Sequence, residues 1–410
     1  MRPSAGGRTV RFIAGIPDPK LAEMLTSNFE NREPIRFNKP CLEGDELEHL
    51  AAAVKSGIGS AKGPYSEQVG AILRDELGAR DVLLTTSCTA ALELAAMLLR
   101  LEPGDNVIVP SFTFVTTASA FAREGAALRF ADIEPDRLGI DPASVATLID
   151  ERTRAVVPVH YAGIPVDLDG LATVLADWPQ AEIVEDNAHG LFSRHRGQPL
   201  GSFGRFSTLS FHETKNFVCG EGGALVVNRP EDVDRAHVLY DKGTNRRAFL
   251  AGQVDKYSWV DQGSSFGLSD LLAAYLLGQL ERRDVILAKR RAVFEGYLAA
   301  LTPHQERLGF RVPDIPADCV QGYHMFYVLV SDHERRTKVL DAMRARGVMG
   351  TFHYVPLHSA AGAQFTDRAT PCPVTDEVSG CLIRLPFFND LGRRDLERVV
   401  SAFLEAAERS

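Results

Sequence analysis

The chain has 410 residues, 45% of them hydrophobic and 24% charged, with a formal net charge of -9. That is the balance of a soluble globular protein, long enough for one large domain and a smaller one. An acidic balance gives no basic footprint for nucleic acid, and no apolar run approaches the roughly 20 residues needed to span a bilayer, so no membrane partner is expected.

Residues 1–34 form an N-terminal extension with weak pattern. Its first stretch, MRPSAGGRTVRFIAGIPDPK, is charged and lacks the continuous apolar region of a secretory signal. Six cysteines (Cys41, Cys88, Cys219, Cys319, Cys372, Cys381) are scattered with no CxxC pair. Dispersed thiols in a chain of this size point to a reducing, cytoplasmic setting and not to a disulfide scaffold or zinc site. From Val82 onward short apolar runs alternate with helical or loop segments: VLLT (82–85), VIVP (107–110), ALRFAD (127–132), AVVPVH (155–160), EIVED (182–186), FSTLSF (206–211) and GALVVN (223–228). Continuous Val/Ile/Leu runs mark strands buried on both faces, and the helical stretches between several of them predict an α/β sheet of about seven strands, mostly parallel. This large domain covers 35–290. A single long helical segment over 269–301 leads out of it. The small α+β domain, 291–410, has strand candidates at 324–330, 347–355 and 381–387 and helices at 335–347 and 394–409.

Three features fall at strand ends, where ligands bind in open α/β sheets. TTSCTAAL (85–92) runs from a strand through a hydroxyl-rich turn into a helix, which reads either as an anion site or as N-capping by Thr89. EIVEDNAHG (182–190) ends a strand with Glu185 and Asp186, which alternate to opposite faces; a carboxylate buried there is costly, so one of the two needs a cationic partner. FHETKN (211–216) sets Lys215 between a strand and the CGEGG turn (219–223). A lysine beside a loop is most often a solvated surface group. Near a phosphate site and a buried acid it becomes an imine-forming nucleophile, and the three together fit pyridoxal 5′-phosphate. His353 and His358 in HYVPLH are separated by Pro356, so no helix presents them as paired ligands and no metal is expected. GEGG lacks the GK[ST] ending of a triphosphate loop.

TTSCTAALELAAMLL, VIVPSFTFVTTASAF, VVPVHYAG, VEDNAHG, SFHETKN, GEGGALV and KGTNRRAF resemble the DegT/DnrJ/StrS-type sugar aminotransferases, from about Phe37 to the C-terminus. HETKN, GQVDKYSW and the GSS of DQGSSFGLSD are similar to the subgroup acting at sugar carbon 4, such as the dTDP-4-amino-4,6-dideoxygalactose transaminases. The resemblance implies a fold-type I enzyme in which Lys215 forms the imine with pyridoxal phosphate and Asp186 pairs with the pyridine nitrogen. It places His189 near the ring hydroxyl and Phe114 on the ring face, with Cys88, Thr89 and Ser210 at the phosphate. Where many relatives have NYR, this chain has SFG, beginning at Ser265 with Gly267 in place of arginine; Asn245 and Arg246 are then the candidates to reach a partner subunit's phosphate.

The expected activity is transfer of an amino group from L-glutamate to C4 of a dTDP-4-keto-6-deoxyhexose, by a homodimer with composite sites. Arg246, Lys256 and Tyr257 of the 243–259 loop are the candidates for the diphosphate and base, and His353 and His358 for sugar hydroxyls. The competing readings are transamination at C3, a non-catalytic regulatory paralogue, which would have lost the lysine–aspartate pair, and a dehydratase, whose relatives usually carry histidine in place of Lys215.

Overall fold

A computed structural model describes residues 33–410, so 1–32 of the expected extension lie outside the described residues. The apolar runs form one seven-stranded sheet: β1 Asp81–Thr85, β2 Asn106–Pro110, β3 Ala127–Ala131, β4 Thr153–Val156, β5 Glu182–Asp186, β8 Phe206–Ser210 and β9 Gly223–Val227. The short β6 Arg194–His195 and β7 Gln198–Pro199 pair instead with β10 Cys319–Val320 in a small sheet of their own. Across the large sheet the order is β1-β9-β8-β5-β4-β2-β3, and every pairing is parallel except the two made by β9.

Both faces of the sheet are covered, which is why the strands read as unbroken apolar runs. Leu83, Val109 and Leu225 pack under helix Cys88–Leu99, while Val82, Leu84 and Val226 face helices Pro64–Leu77 and Asp270–Glu281. Each such side chain contributes about 1.5–3 kcal/mol by leaving water. The reversal at β9 shapes the loop that carries the lysine. The chain leaves β8 at Ser210, turns through the segment that holds Lys215, and returns antiparallel from Gly223. Gly223 is obligatory: a Cβ there would stand 2.4 Å from the backbone of Ser87 and Cys88, so the return strand presses directly on the start of helix Cys88–Leu99.

The structure revises three expected elements. The segment 269–301 is two helices, Asp270–Glu281 and Arg283–Leu301, broken at Arg282, whose Nε donates to the carbonyl of Glu43. The break lets Leu276 and Leu280 pack on the large sheet while Val293, Phe294 and Tyr297 enter a second apolar core with Phe326, Val328, Ile383 and Phe403. In that second body the strands shorten to β11 Tyr327–Leu329 and β12 Leu382–Arg384, flanked by helices His333–Ala345 and Arg393–Arg409. GVMGTFHYV (347–355) is not a strand. Its backbone pairs with β12 where Thr351 and Arg384 exchange hydrogen bonds, and it then turns toward the large sheet. Among the described residues no helix is long and apolar enough to cross a membrane.

Candidate active site

A cavity of about 440 Å³ opens at the carboxyl ends of β5 and β8, between the start of helix Cys88–Leu99 and the second body. Lys215, Asp186, His189, Phe114, Cys88, Thr89 and Ser210 all line it. Lys215 is held by a tight turn in which its N–H donates to the carbonyl of His212 at 2.9 Å. Burial pushes its ammonium from 10.5 down to about 8; Cys88 and Asp186 act against that shift, and Arg384 adds to it. A large share of these amines is therefore neutral near pH 8, the form a nucleophile needs.

The two acids at the end of β5 have separate tasks. Glu185 is fully buried, faces His160 Nε2 at 3.0 Å, and accepts from the N–H groups of Gly201, Phe203 and Gly204 at 2.7–2.8 Å. It is the paired structural acid. Asp186 faces the cavity. Burial raises its carboxyl above the usual range, opposed first by a hydrogen bond from Thr117 Oγ1 at 2.7 Å. His189 is buried, its Nδ1 has no hydrogen-bond partner among the described residues, and burial holds the ring neutral. It stacks on His324, with centroids 4.2 Å apart and planes at 15°. His324 in turn is fixed through Nδ1 to Asn216 Oδ1 at 2.8 Å and through its carbonyl to the buried Arg290 at 2.6 Å.

The start of helix Cys88–Leu99 forms one end of the cavity. Ser87, not Thr89, is the N-cap, its hydroxyl accepting from the N–H of Ala90 at 3.1 Å. That leaves the Thr89 hydroxyl, the remaining first-turn N–H groups and Ser210 to receive an anion. The Cys88 thiol is pushed up to about 12 by burial and is neutral there. Phe114, 56% exposed although aromatic, offers an apolar surface in the cavity wall. A half-buried lysine without an ion-pair partner among the described residues, a carboxylate, a flat aromatic and a helix-end anion site are what a phosphorylated pyridine aldehyde requires, so the residues fit pyridoxal 5′-phosphate.

Arg384, at the end of β12, is absent from the residues expected on sequence grounds. It lines the cavity, is 8% exposed, lacks a carboxylate partner among the described residues, and its Nε is buried without a hydrogen bond. Its Nη1 donates to His353 Nε2 at 2.6 Å, so the neutral His353 ring carries its proton on Nδ1, 3.3 Å from Tyr161 Oη. His353 thus lines the cavity with both nitrogens engaged within the protein, and Tyr354 beside it lines the cavity as well. A signal for Arg384 existed: a single charge interrupts the otherwise apolar CLIRLPF, at the residue that closes β12.

Six expected contacts stand outside the cavity of their own chain. His358 is bound to Ser111 Oγ at 2.7 Å, pinning the 353–358 segment to the end of β2. Ser265 pairs through its backbone with Asp241. Asn245 is spent on its own loop, donating to the carbonyl of Lys256 and accepting from the N–H of Ser258. Arg246, Lys256 and Tyr257 are exposed on that loop. At the base of that loop Gly243, at φ +71, packs so closely against the backbone of Asp261 and Gln262 that no side chain fits there.

Residues 40–404 match the sequence model of the DegT/DnrJ/EryC1/StrS aminotransferase family. Among solved structures, the aminotransferase TlmJ from Streptoalloteichus hindustanus is 29% identical, covering 92% of this chain and 99% of that one with a TM-score of 0.84. DesV of S. venezuelae, solved in complex with a ketimine intermediate, is also 29% identical over 92% of this chain and 100% of its own, with a TM-score of 0.82. 3-Amino-5-hydroxybenzoic acid synthase is 25% identical with the same coverages and a TM-score of 0.82. The fold, the lysine–aspartate cavity and the match across most of the sequence agree: the chain belongs to the DegT/DnrJ/EryC1/StrS aminotransferase family.

Proposed function

We propose that the protein transfers the amino group of L-glutamate to C4 of a dTDP-4-keto-6-deoxyhexose, using pyridoxal 5′-phosphate. The observation that carries the reading is the placing of a half-buried, partly neutral Lys215, Asp186 and an Arg384 without a carboxylate partner among the described residues in the wall of one cavity. Bound pyridoxal phosphate supplies the carbonyl carbon that takes up the amino group and the ring that absorbs the electron pair. The protein does the rest. The first turn of helix Cys88–Leu99, with Thr89 and Ser210, binds the phosphate, and Phe114 covers the ring. Asp186 keeps a proton on the ring nitrogen. Arg384 receives a carboxylate of the donor amino acid, filling the partner it otherwise lacks. Lys215 takes the proton from the donor α-carbon and later delivers one when the sugar is aminated.

The exposed 243–259 loop carries Phe249, Leu250 and Trp259 at 41%, 70% and 80% exposure, an apolar surface suited to burial against a second copy. In the homodimer we infer, Asn245 and Ser265 serve the partner's phosphate end, and Arg246, Lys256 and Tyr257 its nucleotide. The direct test is incubation of the holoenzyme with dTDP-4-keto-6-deoxyglucose and L-glutamate. NMR of the product should show an amine at carbon 4. Amination at carbon 3 of a 3-keto substrate only, or of neither sugar, overturns the reading.

A further inference from the structure

Asp186 lies in no ion pair among the described residues. The groups facing it are Lys215 from the loop after β8, His160 from the end of β4, the neutral Cys88 thiol and Tyr354. His160 is already engaged by Glu185. Asp186 instead receives two hydrogen bonds: Thr117 Oγ1 donates to Oδ2 at 2.7 Å, and the Ala188 N–H donates to Oδ1 at 3.2 Å. Thr117 Oγ1 also lies 2.9 Å from Thr113 Oγ1.

A hydroxyl has one proton, and an ionised carboxylate only accepts. With Asp186 ionised, Thr117 must spend its proton on Asp186, so it can only accept from Thr113. Thr113 therefore donates to Thr117, and the chain of hydroxyls points one way, from the cavity wall that Thr113 lines to the carboxylate. Protonating Asp186 would loosen that order, because a protonated carboxyl can donate as well as accept. Both threonines are buried, at 2% and 0% exposure, so the pair is shielded from bulk solvent. Their spacing follows from local structure: Thr117 sits in the first turn of helix Thr116–Arg123, and the two hydroxyls meet across Phe114–Thr116.

We propose that Thr113 and Thr117 form a one-way hydroxyl relay that keeps Asp186 ionised and aimed at the ring nitrogen of the cofactor, with Thr117 as its positioning residue. This rests on the assignment of Asp186 to that nitrogen. Hydrogen bonds in a chain polarise one another, so the two threonines should matter unequally: Thr117 touches the carboxylate, and Thr113 only strengthens the bond Thr117 makes.

The test binds pyridoxal phosphate labelled with ¹⁵N in the ring to the wild type, T117V, T117S, T113V and D186A. Ring-nitrogen chemical shift, cofactor Kd and melting temperature are read for each. T117V should move the resonance from the pyridinium position toward neutral pyridine and raise Kd roughly tenfold or more, the scale of one hydrogen bond to a charged group. T113V should move both in the same direction, with less than about a threefold change in Kd, as expected from polarisation alone. T117S should restore wild-type values. If D186A shifts the nitrogen while T117V does not, the relay is wrong and the role of Asp186 stands. If D186A itself leaves the pyridinium signal intact, the assignment of Asp186 falls and the relay with it. Should T117V fail to fold, T113V and T117S decide: a wild-type resonance in T113V, or a neutral-pyridine resonance in T117S, overturns the relay.

Discussion

Replacing Lys215 with methionine should stabilise the cofactor-free protein, and should do so only on one side of a pH window. Burial pushes the Lys215 ammonium from 10.5 down to about 8. At 1.36 kcal/mol per pH unit that difference is worth roughly 3 kcal/mol, an upper figure because the side chain keeps some solvent contact at the cavity mouth. The direction follows from the bound protons. Between about pH 8 and 10.5 the unfolded chain holds a proton on this amine that the folded chain has released, so stability rises with pH through the window. Below pH 8 both states are protonated and the folded state bears the full cost of a buried charge; above 10.5 neither does. Urea unfolding of apo wild type and K215M at pH 7 and pH 10 measures the effect. The variant should be more stable by about 1–3 kcal/mol at pH 7, and most of that gain should vanish by pH 10, leaving the pH-independent packing of methionine. A variant no more stable than wild type at pH 7, or one whose gain is the same at both pH values, refutes the reasoning that desolvation tunes this lysine.

Other consequences concern the remaining residues. D186N should keep its fold, because Glu185 accepts from three backbone N–H groups and Asp186 from one, yet lose on the order of 10² or more in the rate of the glutamate half-reaction; stopped-flow absorbance compares the two, and wild-type turnover would move the role elsewhere. R384A should raise KM for L-glutamate roughly tenfold to a hundredfold, the scale of hydrogen bonds to a charged partner, and leave KM for the nucleotide sugar unchanged. R384K should recover only part, lacking the planar fork. R246A and K256A should do the reverse, raising KM for the sugar nucleotide while glutamate kinetics stay as they were; if the double variant keeps the wild-type value, nucleotide recognition lies off that loop. Sedimentation should give a dimer at assay concentration, and a fully active monomer would exclude composite sites.

The sheet was legible because burial on both faces leaves continuous apolar runs, and VLLT, VIVP, EIVED and FSTLSF all lie in strands or at their ends. Lys215 and Asp186 were legible for a related reason: a charge at the end of such a run has to be explained by something other than packing. Arg384 answers to the same argument but is harder to see, because CLIRLPF shrinks to a three-residue strand with little periodic signal. The segment 347–355 misleads because its β-branched and aromatic residues suit a strand, whereas Ser111 and His358 fix its far end to the large sheet and draw His353 and Tyr354 into the cavity. Capping by Ser87 in place of Thr89 is a shift of two residues that hydroxyl-rich turns cannot reveal, since either side chain can accept from the helix. The break at Arg282 depends on contact with Glu43, far away in sequence, and no local pattern encodes it. The Thr113–Thr117 pair shows only as two threonines four apart.

The claim on which the rest depends is that Lys215 carries the cofactor. Borohydride reduction of the protein after pyridoxal phosphate is added, followed by proteolysis and mass spectrometry, reads it without any assumption about the substrate. The account predicts a single phosphopyridoxyl adduct on the peptide spanning FHETKN, located on Lys215 and absent from K215M. An adduct on another lysine, or none on a protein that still transaminates, would contradict it.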